Sequence, residues 1–283
     1  MNQLISLPVG RAGNNIFQLY FTNYLQSKLK HFEIATFGIP DFGIPESKQF
    51  RELCTVNGDI TLEGHIISER EIDDLDQLKN KIVVSKIVGM REEYLRLPPP
   101  SILDLSIAIS MKSDERLARS KTHVLCHIRG GDIWVRSSYR QIHKNYPALP
   151  IRHYENICEK SGKKLLFLFE PNSCNWYRKS LLERFGTSSE VVPKSTFEDF
   201  ALLSNFKEVA LSVSSFAWMA VYLGRVSVVH YPVIGILNPL ERPDINLLNA
   251  LRSETNYYDF TESQWHGNFR NYRWLMNSSS TSR

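Results

Sequence analysis

Long apolar runs are missing from this chain. No stretch approaches the roughly 20 consecutive apolar residues that a membrane span needs. Residues 2–7 meet the polar run Gly10-Arg11-Ala12-Gly13-Asn14-Asn15 at once, so no apolar leader core develops. A soluble, cytoplasmic protein is expected, with peripheral contact at a membrane surface left open. Cysteine is scarce too. The four cysteines, Cys54, Cys126, Cys158 and Cys174, form no CxxC pair. That spacing argues against a zinc ribbon, a redox motif or a disulfide scaffold, and favours reduced, mostly buried thiols. The histidines show no metal-ligand spacing, and there is neither a GxSxG elbow nor a Walker loop. Charge of one sign is also in short supply. A formal net charge of +4 over 283 residues suits an anionic small molecule and makes no case for nucleic acid.

What is present is ordinary for a globular protein: 42% hydrophobic and 23% charged residues, on a chain long enough for two domains. Residues 2–7 read as a buried strand and 14–29 as a helix, with Ile16, Phe17, Tyr20, Tyr24 and Leu25 on one face. Strands are expected at 32–36, 60–67 and 81–88, with a polar surface helix at 68–80 between the last two. Pro98-Pro99-Pro100 interrupts regular structure, and a helix over 101–119 should follow. The second half alternates more regularly. Strands are expected at 122–128, 164–169, 209–213 and 226–230. Helices are expected at 151–160, 175–185, 196–206 (after the capping box Ser195-x-x-Glu198) and 216–223. Such alternation means α/β architecture with parallel sheets covered on both faces. The Ser-rich tail, residues 277–283, is expected to be disordered.

In such sheets ligands sit beyond the carboxyl ends of the strands. Three loops leave strand ends with suitable residues. Gly10-Arg11-Ala12-Gly13-Asn14 joins the first strand to a helix start, where backbone N–H groups and the helix dipole favour an anion. His127-Ile128-Arg129-Gly130-Gly131-Asp132 leaves the strand at 122–128. Its arginine can grip a diphosphate, its glycines admit a close approach, and Asp132 can orient the arginine or the histidine. Ser212-Val213-Ser214-Ser215-Phe216 again runs from strand to helix. Taken singly, each is equally an ordinary turn, ion pair or helix cap. Together they point to a diphosphate handled by two halves of the chain. Asp73-Asp74-Leu75-Asp76 has the look of a metal-binding Asp-x-Asp, but its charged helical setting reads as a solvated face.

These three segments resemble the motifs of a known family. GRAGNNIFQLYFTNYLQ (10–26) is similar to the Gly-Arg-x-Gly-Asn-x-x-Phe-Gln opening of the α1,2-fucosyltransferases. HIRGGD (127–132) resembles the His-x-Arg-Arg-x-Asp motif of the wider fucosyltransferase superfamily, and SVSSFAWMAVYLG (212–224) their late Ser-Ser-Phe-x-Trp stretch. The resemblance spans about residues 4–230. It implies a GT-B fold of two Rossmann-like domains: residues 1–120 on the acceptor side, residues 121–276 on the donor side. It implies an inverting glycosyltransferase that uses no metal or other cofactor and moves a sugar, fucose from GDP-fucose foremost, to a glycan or lipid-linked oligosaccharide. Polysaccharide assembly is the expected setting. By position, Arg129, His127 and Asp132 would be catalytic. Gly10, Arg11, Gly13, Asn14, Gly130, Gly131, Glu170, Ser214, Ser215 and Phe216 would line the donor site. The chain departs from the pattern at Gly130, where a second arginine is usual, and at Glu170-Pro171-Asn172, where some relatives carry an acidic pair. Those departures leave open another nucleotide sugar, or a non-catalytic nucleotide- or glycan-binding relative.

Overall fold

The computed structural model describes residues 2–111, 114–134, 145–260 and 272–282. The chain separates into two units, Met1–Ala108 with Asp244–Asn249, and Ile109–Pro243 with Ala250–Arg283.

In the first unit, apolar β-branched runs form β1 (Asn2–Ser6), β2 (Phe32–Thr36), β3 (Ile60–Gly64) and β4 (Ile82–Ile87). They make one parallel sheet in the order β2-β1-β4-β3. Helix α1 (Ala12–Lys28) crosses from β1 to β2, and α2 (Lys48–Leu53), which the sequence reading missed, follows β2. The side chains of Leu4, Phe21, Leu25, Val83, Ile87 and Tyr94 form its core, with Phe21 edge-on to Tyr94 at 4.9 Å. Gly89 has a φ of 67°, and an added Cβ would lie 2.6 Å from that of Phe21, so this turn admits only glycine. Helix α3 (Glu69–Asp76) has the capping box Ser68–Glu71 and buries Ile72 and Leu75. Asp73 and Asp74 face solvent.

Two differences from expectation concern the boundary. The helix expected over 101–119 ends early: α4 runs Pro100–Met111, and a separate 3-10 turn covers Glu115–Arg119. The proline starts α4 because the first helical position needs no N–H donor. Arg116 fixes the turn, donating to Asp114 and, at 2.7 Å, to Asp199. The units divide inside α4, between Ala108 and Ile109. Residues 244–249 return to the first unit, where Asn246 exchanges backbone hydrogen bonds with Met90 and Glu92.

The second unit contains β5 (His123–Ile128), α5 (Ile151–Ser161), β6 (Lys164–Phe169), α6 (Asn175–Phe185), β7 (Glu190–Val191) and α7 (Thr196–Asn205). Then come β8 (Glu208–Ala210), α8 (Ser215–Leu223), β9 (Val228–Val233), β10 (Glu254–Phe260), α9 (Tyr272–Asn277) and β11 (Ser280–Ser282). The sheet order is β11-β10-β9-β8-β5-β6-β7, parallel throughout except for β11. Counted from β5, the parallel strands run 3-2-1-4-5-6, the Rossmann order, which reverses between β5 and β8. Gly162 stops α5 in the left-handed region at φ 65°.

The tail expected to be disordered instead supplies β11. Ser280 is buried, its backbone and hydroxyl accepting from Asn156 and its hydroxyl sharing a hydrogen bond with His153 Nδ1 at 3.1 Å. Strand pairing with β10 compensates for the lack of apolar residues. All four cysteines are free, but only Cys126 is buried and the others are half-buried. No helix among the described residues is long and apolar enough to cross a membrane.

Candidate functional site

The reversal between β5 and β8 creates a crevice at the carboxyl ends of β6, β5 and β8, which lie side by side. His127 and Arg129 leave β5, Glu170 leaves β6, and Ser212, Ser214 and Ser215 bridge β8 to α8.

His127 is buried. Its Nδ1 is 2.6 Å from the Ser212 hydroxyl, and its Nε2 is 3.4 Å from the Glu170 carboxylate. The other Glu170 oxygen accepts from the Gly130 N–H at 3.3 Å. Arg129 is only 9% exposed, and its guanidinium lies 4.2 Å from the centre of the Tyr146 ring. The ring face offsets part of the desolvation cost of the buried cation and orients it. The Arg129 carbonyl accepts from the Trp134 indole at 3.2 Å, and Trp134 packs on Trp176 and Tyr177.

The two glycines have different jobs. Gly131 sits at φ 65° and donates its N–H to the Asn172 carbonyl. Gly130 is crowded: an added Cβ would fall 2.7 Å from the Pro171 carbonyl oxygen and 2.8 Å from that of Glu170. The Asp132 side chain lies outside the described part of the structure.

At α8, Ser214 occupies the N-cap position, yet its side chain makes no capping bond. Its hydroxyl is buried with no hydrogen-bond partner among the described residues. Ser215 opens the helix, and Phe216 packs on the His127 ring at 5.8 Å and on Phe200 at 5.2 Å. An unmade cap beside a helix start is a place where an anionic oxygen would be met by hydroxyl and N–H donors.

The loop of the first unit is simpler. Gly10 has a φ of 78°, Arg11 is exposed in an extended N-cap position, Gly13 is buried and Asn14 is half-buried. Sequence reasoning missed Gln18. This fully buried amide accepts from the Val9 N–H at 2.7 Å and donates to the Leu7 carbonyl at 2.8 Å, clamping the loop to its helix. The signal was there: a lone polar residue within the apolar run Ile16–Phe21. The first turn of α1 carries no acidic residue to compete with an anion. Tyr146 and the bridging role of Ser212 were also missed. Among the described residues no group of three or more His, Cys, Asp or Glu side chains is placed to hold a metal ion.

A Rossmann-ordered sheet with an oriented arginine, paired glycines and a helix start at its reversal has the form of a nucleotide-binding α/β domain. Residues 106–232 match the family model described as glycosyl transferase family 11. That match supports a fucosyltransferase-like glycosyltransferase. Searches of curated proteins and of solved structures give no match.

Proposed function

We propose that the chain is an inverting, metal-independent transferase of GT-B type that moves fucose from GDP-fucose to a glycan hydroxyl. In this reading the second unit binds the donor and the first serves the acceptor. The observation that carries it is the convergence of Arg129, Glu170 and the α8 start on adjacent strand ends at the sheet reversal. As the sugar–phosphate bond breaks, the sugar gains oxocarbenium character and charge grows on the β-phosphate. Arg129 and the Ser214–Ser215 helix start would meet that charge without rearrangement. A soluble enzyme at the cytoplasmic side of polysaccharide assembly, with a glycan or lipid-linked acceptor, fits this reading.

Transfer assays with GDP-fucose and a panel of glycan acceptors test it, with Arg129→Ala as the control. Turnover in the wild type that falls by about 10²–10³-fold in the variant supports the assignment; equal turnover in both overturns it. One observation favours a second donor. Glu170, which stands where some relatives carry an acidic pair, has both oxygens engaged with His127 and Gly130 on the neighbouring β5 side. Thermal-shift screening of GDP-, UDP-, CMP- and dTDP-sugars separates the two, and preference for a non-guanine nucleotide selects another sugar donor.

A further inference from the structure

We infer that Glu170 is a positioning residue that sets the His127 tautomer and the Gly130 backbone, and that the turn it opens makes glycine obligatory at 130. The inference deepens the proposed donor site and rests on that reading for its consequences in catalysis, though not for its geometry.

Strand register explains why Glu170 is in place. β5 and β6 pair His127 with Leu168 and Ile128 with Phe169, and the Glu170 N–H donates to the Ile128 carbonyl at 2.9 Å. One residue past the ladder, the carboxylate reaches back to His127 and forward to Gly130. A carboxylate only accepts, so the Nε2 that faces it carries the proton. In the neutral form of the ring this tautomer leaves the lone pair on Nδ1, 2.6 Å from the Ser212 hydroxyl, which then donates to it. Glu170, His127 and Ser212 thus tie β6, β5 and β8 together across the reversal point. With that lone pair engaged, His127 orients the loop and is not the base that takes the acceptor proton.

The same turn settles position 130. Ser173 donates its hydroxyl to the Glu170 carbonyl and closes the 170–173 turn against Gly130. The atoms that an added Cβ would strike include two backbone oxygens, which cannot rotate away as a side chain would. The absence of a second arginine and the shape of this turn are therefore one structural fact. A single buried arginine is the design of this site, and adding another at 130 would not strengthen it.

The test uses the full chain with 15N-labelled histidine. NMR reads the His127 tautomer, and titration with GDP and UDP reads binding. Glu170→Ala is expected to abolish the fixed Nε2–H tautomer and to weaken both nucleotides at least tenfold alike. Glu170→Gln is expected to recover the tautomer, since its amide oxygen still accepts, but only part of the binding, since it lacks the second acceptor for Gly130. Gly130→Ala and Gly130→Arg are expected to lose binding equally. An unchanged tautomer in Glu170→Ala overturns the inference. So does a loss confined to GDP, which would make Glu170 a base ligand, or tighter binding in Gly130→Arg. If the wild type transfers no sugar at all, the functional reading fails while the tautomer still decides the role of Glu170.

Discussion

The two units each carry a strand–loop–helix junction with an arginine, but they hold it in opposite ways. In the first, Gln18 braces the Gly10–Asn14 loop with an uncharged amide, and Arg11 is exposed. In the second, the arginine itself is buried over Tyr146, and its loop is braced by the chain Glu170–His127–Ser212. An exposed arginine loses side-chain entropy whenever it grips a ligand, and water screens it. A buried one is ordered beforehand and acts in a lower dielectric. Under the proposed function the second junction is therefore suited to stabilising charge, and the first only to a weaker, exposed contact with an anion. The supporting structure follows the same division, since the second unit relies on buried ionisable groups and the first mostly on apolar packing.

The largest expected effect is on turnover: Arg129→Ala should lower kcat by about 10²–10³-fold, as for other preorganised donors. Next comes stability. Arg116 is nearly buried between Asp114 and Asp199, so Arg116→Ala takes the guanidinium from both carboxylates, which keep their contacts with Lys194, and should cost about 3 kcal/mol in chemical denaturation. Gln18→Leu leaves the Val9 N–H without its acceptor and should cost about 2 kcal/mol, with donor affinity of the second unit unchanged.

Acid sensitivity is the fourth test. Burial, and then the neighbouring His230, pushes His153 down to about 3 from its ordinary 6.5. The unfolded chain binds that proton more readily, so stability is complete above pH 6.5. It falls by about 1.4 kcal/mol per pH unit as pH drops from 6.5 towards 3. Burial raises Glu208 and Asp114, but the hydrogen bonds from His230 and Lys163 to the one and from Arg116 to the other outweigh it. Both sit below their ordinary values, 4.5 and 3.8, and steepen the loss below them. Melting curves at pH 7 and pH 5 should differ in the wild type and converge in His153→Gln. The smallest effect belongs to Arg11→Ala, which should leave melting unchanged and raise the donor KM by less than about tenfold.

Much of the fold was legible in the sequence. Residues 164–169 and 175–185 form a strand and a helix as read, because their periodicity and the turn residues around them agree. What stayed hidden depends on distant partners. β10, with the composition Glu-Thr-Asn-Tyr-Tyr-Asp-Phe, mixes strand-favouring Thr, Tyr and Phe with disfavouring Glu, Asn and Asp, and β9 offers it the parallel edge that completes it. The return of residues 244–249 to the first unit leaves no local trace, since it consists of backbone bonds to Met90 and Glu92. At the site, the Arg129 loop could be found from its glycines and strand end. Its bracing could not, because Ser212 lies 85 residues from the histidine it holds. Gly130 looked like a lost ligand until the carbonyls of Glu170 and Pro171 showed that no side chain fits there.

The claim on which the rest depends is that Arg129 is the main cation of a nucleoside-diphosphate site. Calorimetric titration of GDP and UDP into the wild type and Arg129→Ala addresses it without an acceptor or turnover. The expected result is saturable binding of at least one nucleotide in the wild type, and none measurable in a variant that melts at the same temperature. Equal affinity in the two proteins would contradict it.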